Sequence, residues 1–379
     1  MITLDEAARL RAARSQQAGV VSVYLPVPLD LAEHRGLPTK ARELAKSAAG
    51  DGEATGHRGP PASEADLEWI YRTVAENSSD WLGHTIALFS CGAIGLAEAV
   101  PLPGRLPERA VVAAGPYLRP LLAAIQRHPD YRVAIIDARH AWILAISDDQ
   151  IETVAQRTGA GVPSTGFAGW YGLESHRIQQ RIIQLSRQHF RDTMAILQGP
   201  DGGTPRPLLI GGQDSEVRQF LAIATRPVTD AVIGTFSVDL QAATPARVRE
   251  LADPAVAEWA RAAEADLVRE VLSQPPDTTV TTELAGCLAA IRPGAVGELI
   301  LADEKVVPGF ACAACGAMSP EAADCDCPGP GSTQAPVPDL LELMAGRALD
   351  AGGQVTAVRE APFTAAARLR FPVSSGAAR

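Results

Sequence analysis

Apolar positions recur along the chain with helical and strand periods in alternation. Leu4, Ala7, Ala8, Leu10 and Ala13 share one face of a helix over residues 4–17, and Val20–Val27 (VVSVYLPV) is an unbroken β-rich run. Helical spacing returns over Thr39–Ala49 and Leu67–Asn77. Thr85–Cys91 (TIALFSC) and Leu96–Leu102 (LAEAVPL) predict a hairpin turning at Gly92–Gly95. A helix striped with apolar residues over Tyr117–Arg127 precedes a second hairpin, Arg132–Asp137 with Ala141–Ser147, and a strand near Ile151–Ala155. Next come a long helix over Ser175–Leu197, a buried strand over Pro207–Ile210, a helix over Ser215–Ala224 and a strand over Ala231–Phe236. Two helices, Pro245–Ala252 and Pro254–Leu272, are split at a proline. The remainder predicts helix Thr281–Arg292, strand Glu298–Leu301, helix Pro338–Ala351, and strands at Gln354–Arg359 and Ala366–Phe371.

This alternation predicts an α/β protein of three α/β domains in series. Residues 1–150 form an N-terminal α/β domain, and 151–275 a middle domain with a largely parallel sheet and a long basic helix. Residues 276–379 form a small α/β domain with a Cys-rich insert at 308–330, after a boundary at Gln274–Thr278 (QPPDT). Ala48–Ser63 (AAGDGEATGHRGPPAS) has almost no large apolar side chain and reads as a loop. No repeat of solenoid period is present.

Composition narrows the chemistry. Of 379 residues, 46% are hydrophobic and 21% charged, which excludes a disordered chain. The longest apolar runs are of strand length, so no membrane contact is expected. Residues 1–17 lack a secretory hydrophobic region, which predicts a cytoplasmic protein with reduced thiols. Lys+Arg 34 against Asp+Glu 44 gives a net charge of −10, so RNA contact requires a local basic patch and DNA is not an expected partner.

Four of the six cysteines crowd together as Cys312-Ala-Ala-Cys315 and Cys325-Asp-Cys327. Four thiolates suit a closed structural zinc site, and Gly316 permits the tight turn of a zinc knuckle. The alternative is a metal-free loop. A basic patch stands at 157–191, where Arg157, Arg177, Arg181, Arg187 and Arg191 face a single acidic residue, Glu174, if Asp192 just beyond is left out. Arg177, Arg181, Gln184, Gln188 and Arg191 share one helical face, while Ile182, Ile183, Phe190, Met194 and Leu197 serve the buried side. The Gly-rich loop before it carries Phe167, Trp170 and Tyr171. Arginines with aromatics grip RNA backbone and stack on bases, which makes Trp170, Tyr171, His176, Arg177, Arg181, Arg187 and Arg191 candidate RNA contacts. A solvated helix face is the alternative, and His176 and His189 read as surface or capping residues. Gly211-Gly212-Gln213 matches the tripeptide of translation release factors but sits at a strand-to-helix turn, where glycines serve the backbone. Gln213 is therefore read as a decoy, and no catalytic residue is assigned. No nucleophile elbow, His-Glu-x-x-His, P-loop or dinucleotide fingerprint is present.

The order of these pieces resembles the bacterial archaeo-eukaryotic release factor-like family, relatives of the class 1 release factor and Pelota. The resemblance lies in Tyr117–Ile136, Thr165–Leu197 (TGFAGWYGLESHRIQQRIIQLSRQHFRDTMAIL), Leu208–Thr235 (LLIGGQDSEVRQFLAIATRPVTDAVIGT) and Gly294–Gly316. It implies a ribosome-binding factor, with the middle domain on rRNA in the A site. The last domain would be ribosomal-protein-like and dock on a translational GTPase. In the release factors the Gly-Gly-Gln loop precedes the long helix; the matching loop here, Gly159–Gly172, has no glutamine. The stop-codon motif Asn-Ile-Lys-Ser is absent too. What remains resembles the Pelota-like and Balon-like members, which implies ribosome hibernation or rescue without peptidyl-tRNA cleavage. The alternatives are a peptidyl-tRNA hydrolase, with Gln179 and Gln180 nearest the loop, and a zinc-containing protein-interaction factor with no ribosome role.

Overall fold

Helix α1 (Leu4–Ala12) leads into β1 (Val20–Pro26), a strand buried at every position. An antiparallel strand so completely buried needs cover on both faces. Helices α2 (Leu37–Ala54) and α3 (Glu64–Asn77) supply one side. Strands β2 (Thr85–Cys91), β3 (Leu96–Leu102) and β4 (Arg109–Ala113) complete an antiparallel sheet in the order β3-β2-β1-β4, and α4 (Arg119–Arg127) follows. Because side chains alternate along a strand, Val21, Val23 and Leu25 meet Ala41, Ile70 and Val74 of α2 and α3, while Val20 and Tyr24 meet Leu10 of α1 and Leu121 of α4. Ser63 caps α3 by accepting from the Asp66 amide. The computed structural model describes residues 4–15, 17–54, 61–147, 150–159, 172–198, 207–274, 279–312, 314–322, 325, 327 and 334–373.

Residues 128–262 form one compact unit. Strands β5 (Tyr131–Ile136), β6 (His140–Ser147) and β7 (Gln150–Thr158) make an antiparallel meander. Helix α5 (Gly172–Gln198) leads to β8 (Leu208–Gly212), α6 (Asp214–Ile223), α7 (Arg226–Ala231), β9 (Val232–Ser237) and α8 (Pro245–Ser273). The sheet order is β7-β6-β5-β8-β9, parallel over β5, β8 and β9. The hairpin predicted to close the first domain before residue 150 is thus hydrogen-bonded into this sheet. Phe190 and Met194 of α5 and Phe220 of α6 cover one face, and Val248, Ala252 and Val256 of α8 the other. Helix α8 runs unbroken through Pro254, where the sequence predicts two helices. Both Pro254 and Glu250 are exposed, so water can satisfy the carbonyl that loses its helical donor.

The last part holds β10 (Val280–Thr281), α9 (Leu284–Ile291), β11 (Val296–Ala302), β12 (Gly309–Cys312), β13 (Met318–Ser319), β14 (Gln334–Val337), α10 (Leu340–Asp350), β15 (Gln354–Val358) and β16 (Ala365–Leu369). One mixed sheet runs β10-β16-β11-β15 and a small sheet runs β13-β12-β14. Helices α9 and α10 pack on the larger sheet through Cys287, Leu341 and Met344. The architecture is mixed α/β throughout. Among the described residues no helix is long and apolar enough to cross a membrane.

Residues 1–127 and 263–379 form a second compact unit, joined by a buried polar knot. Arg119, 3% exposed, donates to Asp339 Oδ2 at 2.5 Å and to the carbonyls of Ala302 (2.8 Å), Lys305 (3.1 Å) and Asp303 (3.2 Å). Asp339 also accepts from the Tyr117 hydroxyl (2.9 Å) and, through Oδ1, from the amides of Leu341 (3.0 Å) and Val307 (3.2 Å). Burial, then the nearby Asp339 carboxylate, raises the Tyr117 phenol well above its ordinary range, so it stays a donor. Glu342 accepts from the Leu118 and Arg119 amides at the start of α4. The Asp339→Asn substitution should leave the Arg119 charge buried without its counter-ion. We expect a loss of about 3–5 kcal/mol in urea unfolding followed by far-ultraviolet dichroism; a change below about 1 kcal/mol would contradict the pairing.

Candidate nucleic-acid interface and metal centre

Helix α5 is amphipathic in the sense its pattern predicts. Arg181, Gln184, Arg187, Gln188 and Arg191 are all exposed, and at about 100° per residue they occupy one continuous arc. Phe190, Met194 and Leu197 are buried opposite, at 3% exposure or less, while Ile183, expected inside, is 41% exposed. Among the described residues no acidic side chain pairs with Arg181, Arg187 or Arg191. Arg157 differs: it is ion-paired with Asp192 and so withdrawn from the basic patch. Trp170 and Tyr171 lie outside the described residues, and so do the side chains of His176 and Arg177, whose backbone belongs to α5. His189 is 2% exposed rather than on the surface, and among the described residues neither ring nitrogen has a hydrogen-bond partner. Burial lowers its pKa below the ordinary 6.5 and outweighs the nearby His140 backbone, which raises it, and Arg157 lowers it further.

The parallel strands β5, β8 and β9 end beside an open cleft of about 370 Å³. Such a position, outside the carboxyl ends of parallel strands, is where α/β sheets bind ligands. Gly211 and Gly212 are buried in β8 between β5 and β9. At Gly212, φ is +152° and a Cβ would stand 2.4 Å from the Ile136 carbonyl oxygen, so only glycine fits. Gln213, the next residue, is exposed at the start of α6 and lines the cleft. Asp137 Oδ1 closes the turn by accepting from the amides of Arg139 and His140, both at 2.6 Å, and Oδ2 lies 2.9 Å from His140 Nδ1. Burial opposes its ionisation, but those donors outweigh it and hold the Asp137 carboxyl below its usual range. Glu216 Oε1 accepts from the Ala138 amide (3.0 Å), which ties α6 to the same turn. Burial raises the Glu216 pKa, and among the described residues its buried Oε2 has no partner. Periodicity gives no sign of this cleft; of the residues that line it the sequence singled out Gln213, and only as a decoy.

The four sulfurs of Cys312, Cys315, Cys325 and Cys327 lie within 4.8 Å of one another. Cys312 and Cys327 are 3.6 Å apart, and Cys315 and Cys325 are 3.3 Å apart. A tetrahedral ion with metal–sulfur bonds of about 2.3 Å needs sulfurs about 3.8 Å apart, so the cluster can hold a metal. Gly316, at φ +70°, turns the knuckle so that its amide donates to the Cys312 carbonyl at 2.8 Å. Backbone N–H groups of Cys315 and Ala314 lower the Cys312 thiol to about 6, while hydrogen bonds from the neighbouring sulfurs push the Cys325 thiol up to about 12, so the close thiols share their protons.

Residues 116–271 match the model of bacterial archaeo-eukaryotic release factor family 10. This span, which includes the whole unit 128–262, is similar to that family. No curated protein matches the chain. Among solved structures it is similar to the archaeal translation termination factor aRF1, at 13% identity over 98% of this chain and 99% of that one, with a TM-score of 0.28. Pelota of Archaeoglobus fulgidus is 13% identical over 76% of this chain and 80% of its own, TM-score 0.33. An archaeal Pelota described as ribosome-bound, with ABCE1, is 13% identical over 76% and 78%, TM-score 0.37.

Two measurements test the local chemistry. Dialysis of the metal-free chain against zinc should bind one ion, and the Cys315→Ser/Cys325→Ser double variant none. Since the His189 pKa is lowered in the folded state, the unfolded chain takes up the proton first. Stability should therefore fall as pH drops through about 6.5, and His189→Leu should flatten that part of the profile in denaturation midpoints.

Proposed function

We propose that the chain is a ribosome-associated translation factor that docks on rRNA through the arginine face of α5. The observation that carries this reading is that Arg181, Arg187 and Arg191 stand exposed on one helix inside the release-factor-like span. In a chain of net charge −10, a helix face with three arginines that have no acidic partner among the described residues is the local patch that RNA requires. The described ribosome-bound state of an archaeal Pelota supports the same partner. We read the factor as occupying the A site of idle or stalled ribosomes, in hibernation or rescue, in the cytoplasm. A translational GTPase fits as a delivery partner by the resemblance above.

Reading of stop codons and cleavage of peptidyl-tRNA are not part of this function. Gly211 and Gly212 are buried strand residues that pack against Phe236 and the Ile136 carbonyl, and this supports a backbone role for the two glycines. The Cys312, Cys315, Cys325 and Cys327 cluster suits zinc in a structural role, since four sulfurs leave no open coordination position for catalysis.

Co-sedimentation with vacant ribosomes across a salt series tests the reading. Binding should fall steeply with salt. The Arg181→Ala/Arg187→Ala/Arg191→Ala variant should bind more weakly and flatten the log–log salt slope by about two to three. Undiminished binding of that variant would remove α5 as the interface, and no pelleting at low salt would remove the ribosome as partner.

A further inference from the structure

The cleft at the ends of β5, β8 and β9 has no part in phosphate docking as just described, yet its lining is specific. Asp137, Glu216 and Asp239 outnumber the positive Arg139 and the titratable His140, so a phosphate would be repelled there. The exposed amides of Gln213 and Gln241 each offer one donor group and one acceptor, and among the described residues neither has a hydrogen-bond partner. Glu216 adds the enclosed acceptor Oε2, which has no donor among the described residues. An unsatisfied acceptor of this kind is unfavourable unless something supplies a hydrogen. Val238 and Leu240 supply an apolar wall. The volume, about 370 Å³, lies within the range of small-ligand pockets.

A flat, uncharged group with apolar faces and an amino-bearing edge satisfies all of these features. We propose that the cleft is a nucleobase pocket that takes the unstacked base of one RNA nucleotide, an adenine or cytosine, while the arginines of α5 hold neighbouring phosphates. Paired amides and a carboxylate are the groups that read adenine and cytosine edges through their exocyclic amines. Uracil has no such amine. The pocket and the helix are mechanically joined: the Ala138 carbonyl, in the turn that lines the cleft, accepts from Ser186 Oγ of α5 at 3.1 Å. RNA recognition commonly works in this way, with splayed bases read by side chains and backbone held by charge. The inference rests on the RNA-docking reading of α5 but not on the ribosome as the source of the RNA.

The test uses the full chain and fluorescently labelled oligoadenylate, oligocytidylate and oligouridylate of equal length, followed by anisotropy at fixed salt. Oligoadenylate or oligocytidylate should bind about tenfold tighter than oligouridylate. The Gln213→Ala/Gln241→Ala variant, altered only at exposed positions, should bind all three at the oligouridylate level. Arg191→Ala should weaken all three alike and keep the preference. Equal binding, no binding, or a preference that survives the glutamine variant would overturn the pocket. Ribosome pelleting that persists in that event leaves the docking reading standing. Loss of pelleting with the base preference intact would remove the ribosome and keep the pocket.

Discussion

Arg119 places a guanidinium in the interior opposite one carboxylate, that of Asp339, 220 positions later in the chain. A charge buried this deeply is tolerated only when paired and fully hydrogen-bonded. Every contact that satisfies it comes from residues 302–339, at the end of β11 and the start of α10, and from Tyr117 beside it. Asp339 in turn caps α10, and Glu342 in that helix's first turn accepts from the first amides of α4. Two helix starts and a strand end thus share one polar knot, and none is satisfied without the others. Gln126 extends the joint: its side chain accepts from the Ala357 amide (2.9 Å) and donates to the Val355 carbonyl (2.5 Å), along the open edge of β15. An amide used this way imitates a neighbouring strand and protects an otherwise exposed edge.

The unit 128–262 is organised by a different constraint, the close approach of β5 and β8. Gly212 lets the two strand ends nearly touch, and the turn after β5 is then held by Asp137 from within and by Glu216 from α6. Ser186 fastens α5 to that same turn. A helix that presents arginines to solvent is therefore fixed, through one short loop, to a cleft lined by amides and carboxylates. The exposed positive charge of α5 and the amides and carboxylates of the cleft thus occupy separate places in the unit.

The Cys-rich insert shows what a small sheet needs when it has little core. Strands β12, β13 and β14 have four, two and four residues, and most of their side chains are only partly buried. Four cysteine sulfurs gathered within 4.8 Å can hold a metal at the place where apolar packing is slight. Gly309 lies against Leu340 and Gly316 against Arg347, so the insert is seated on α10.

Features written in consecutive residues were legible before folding. Alternation and helical spacing located β2 and β3 to the residue and α5 to within a few positions, because period and turn residues are local properties. The spacing of the cysteines and the arc of arginines on α5 were legible for the same reason. Other features arise only from contacts between distant segments. The β5–β6 hairpin has the same local pattern whichever sheet it joins, and the parallel pairing of β5 with β8 decides the matter. Pro254 looks like a helix break until solvent exposure of its turn is known, and His189 looks like a surface residue until α5 lies on the sheet. The cleft follows the same rule, since Asp137, Gln213 and Gln241 meet only when three strands end side by side. Local sequence determined the elements and their chemical faces; tertiary closure decided which faces met, because burial and strand pairing depend on residues far apart in the chain.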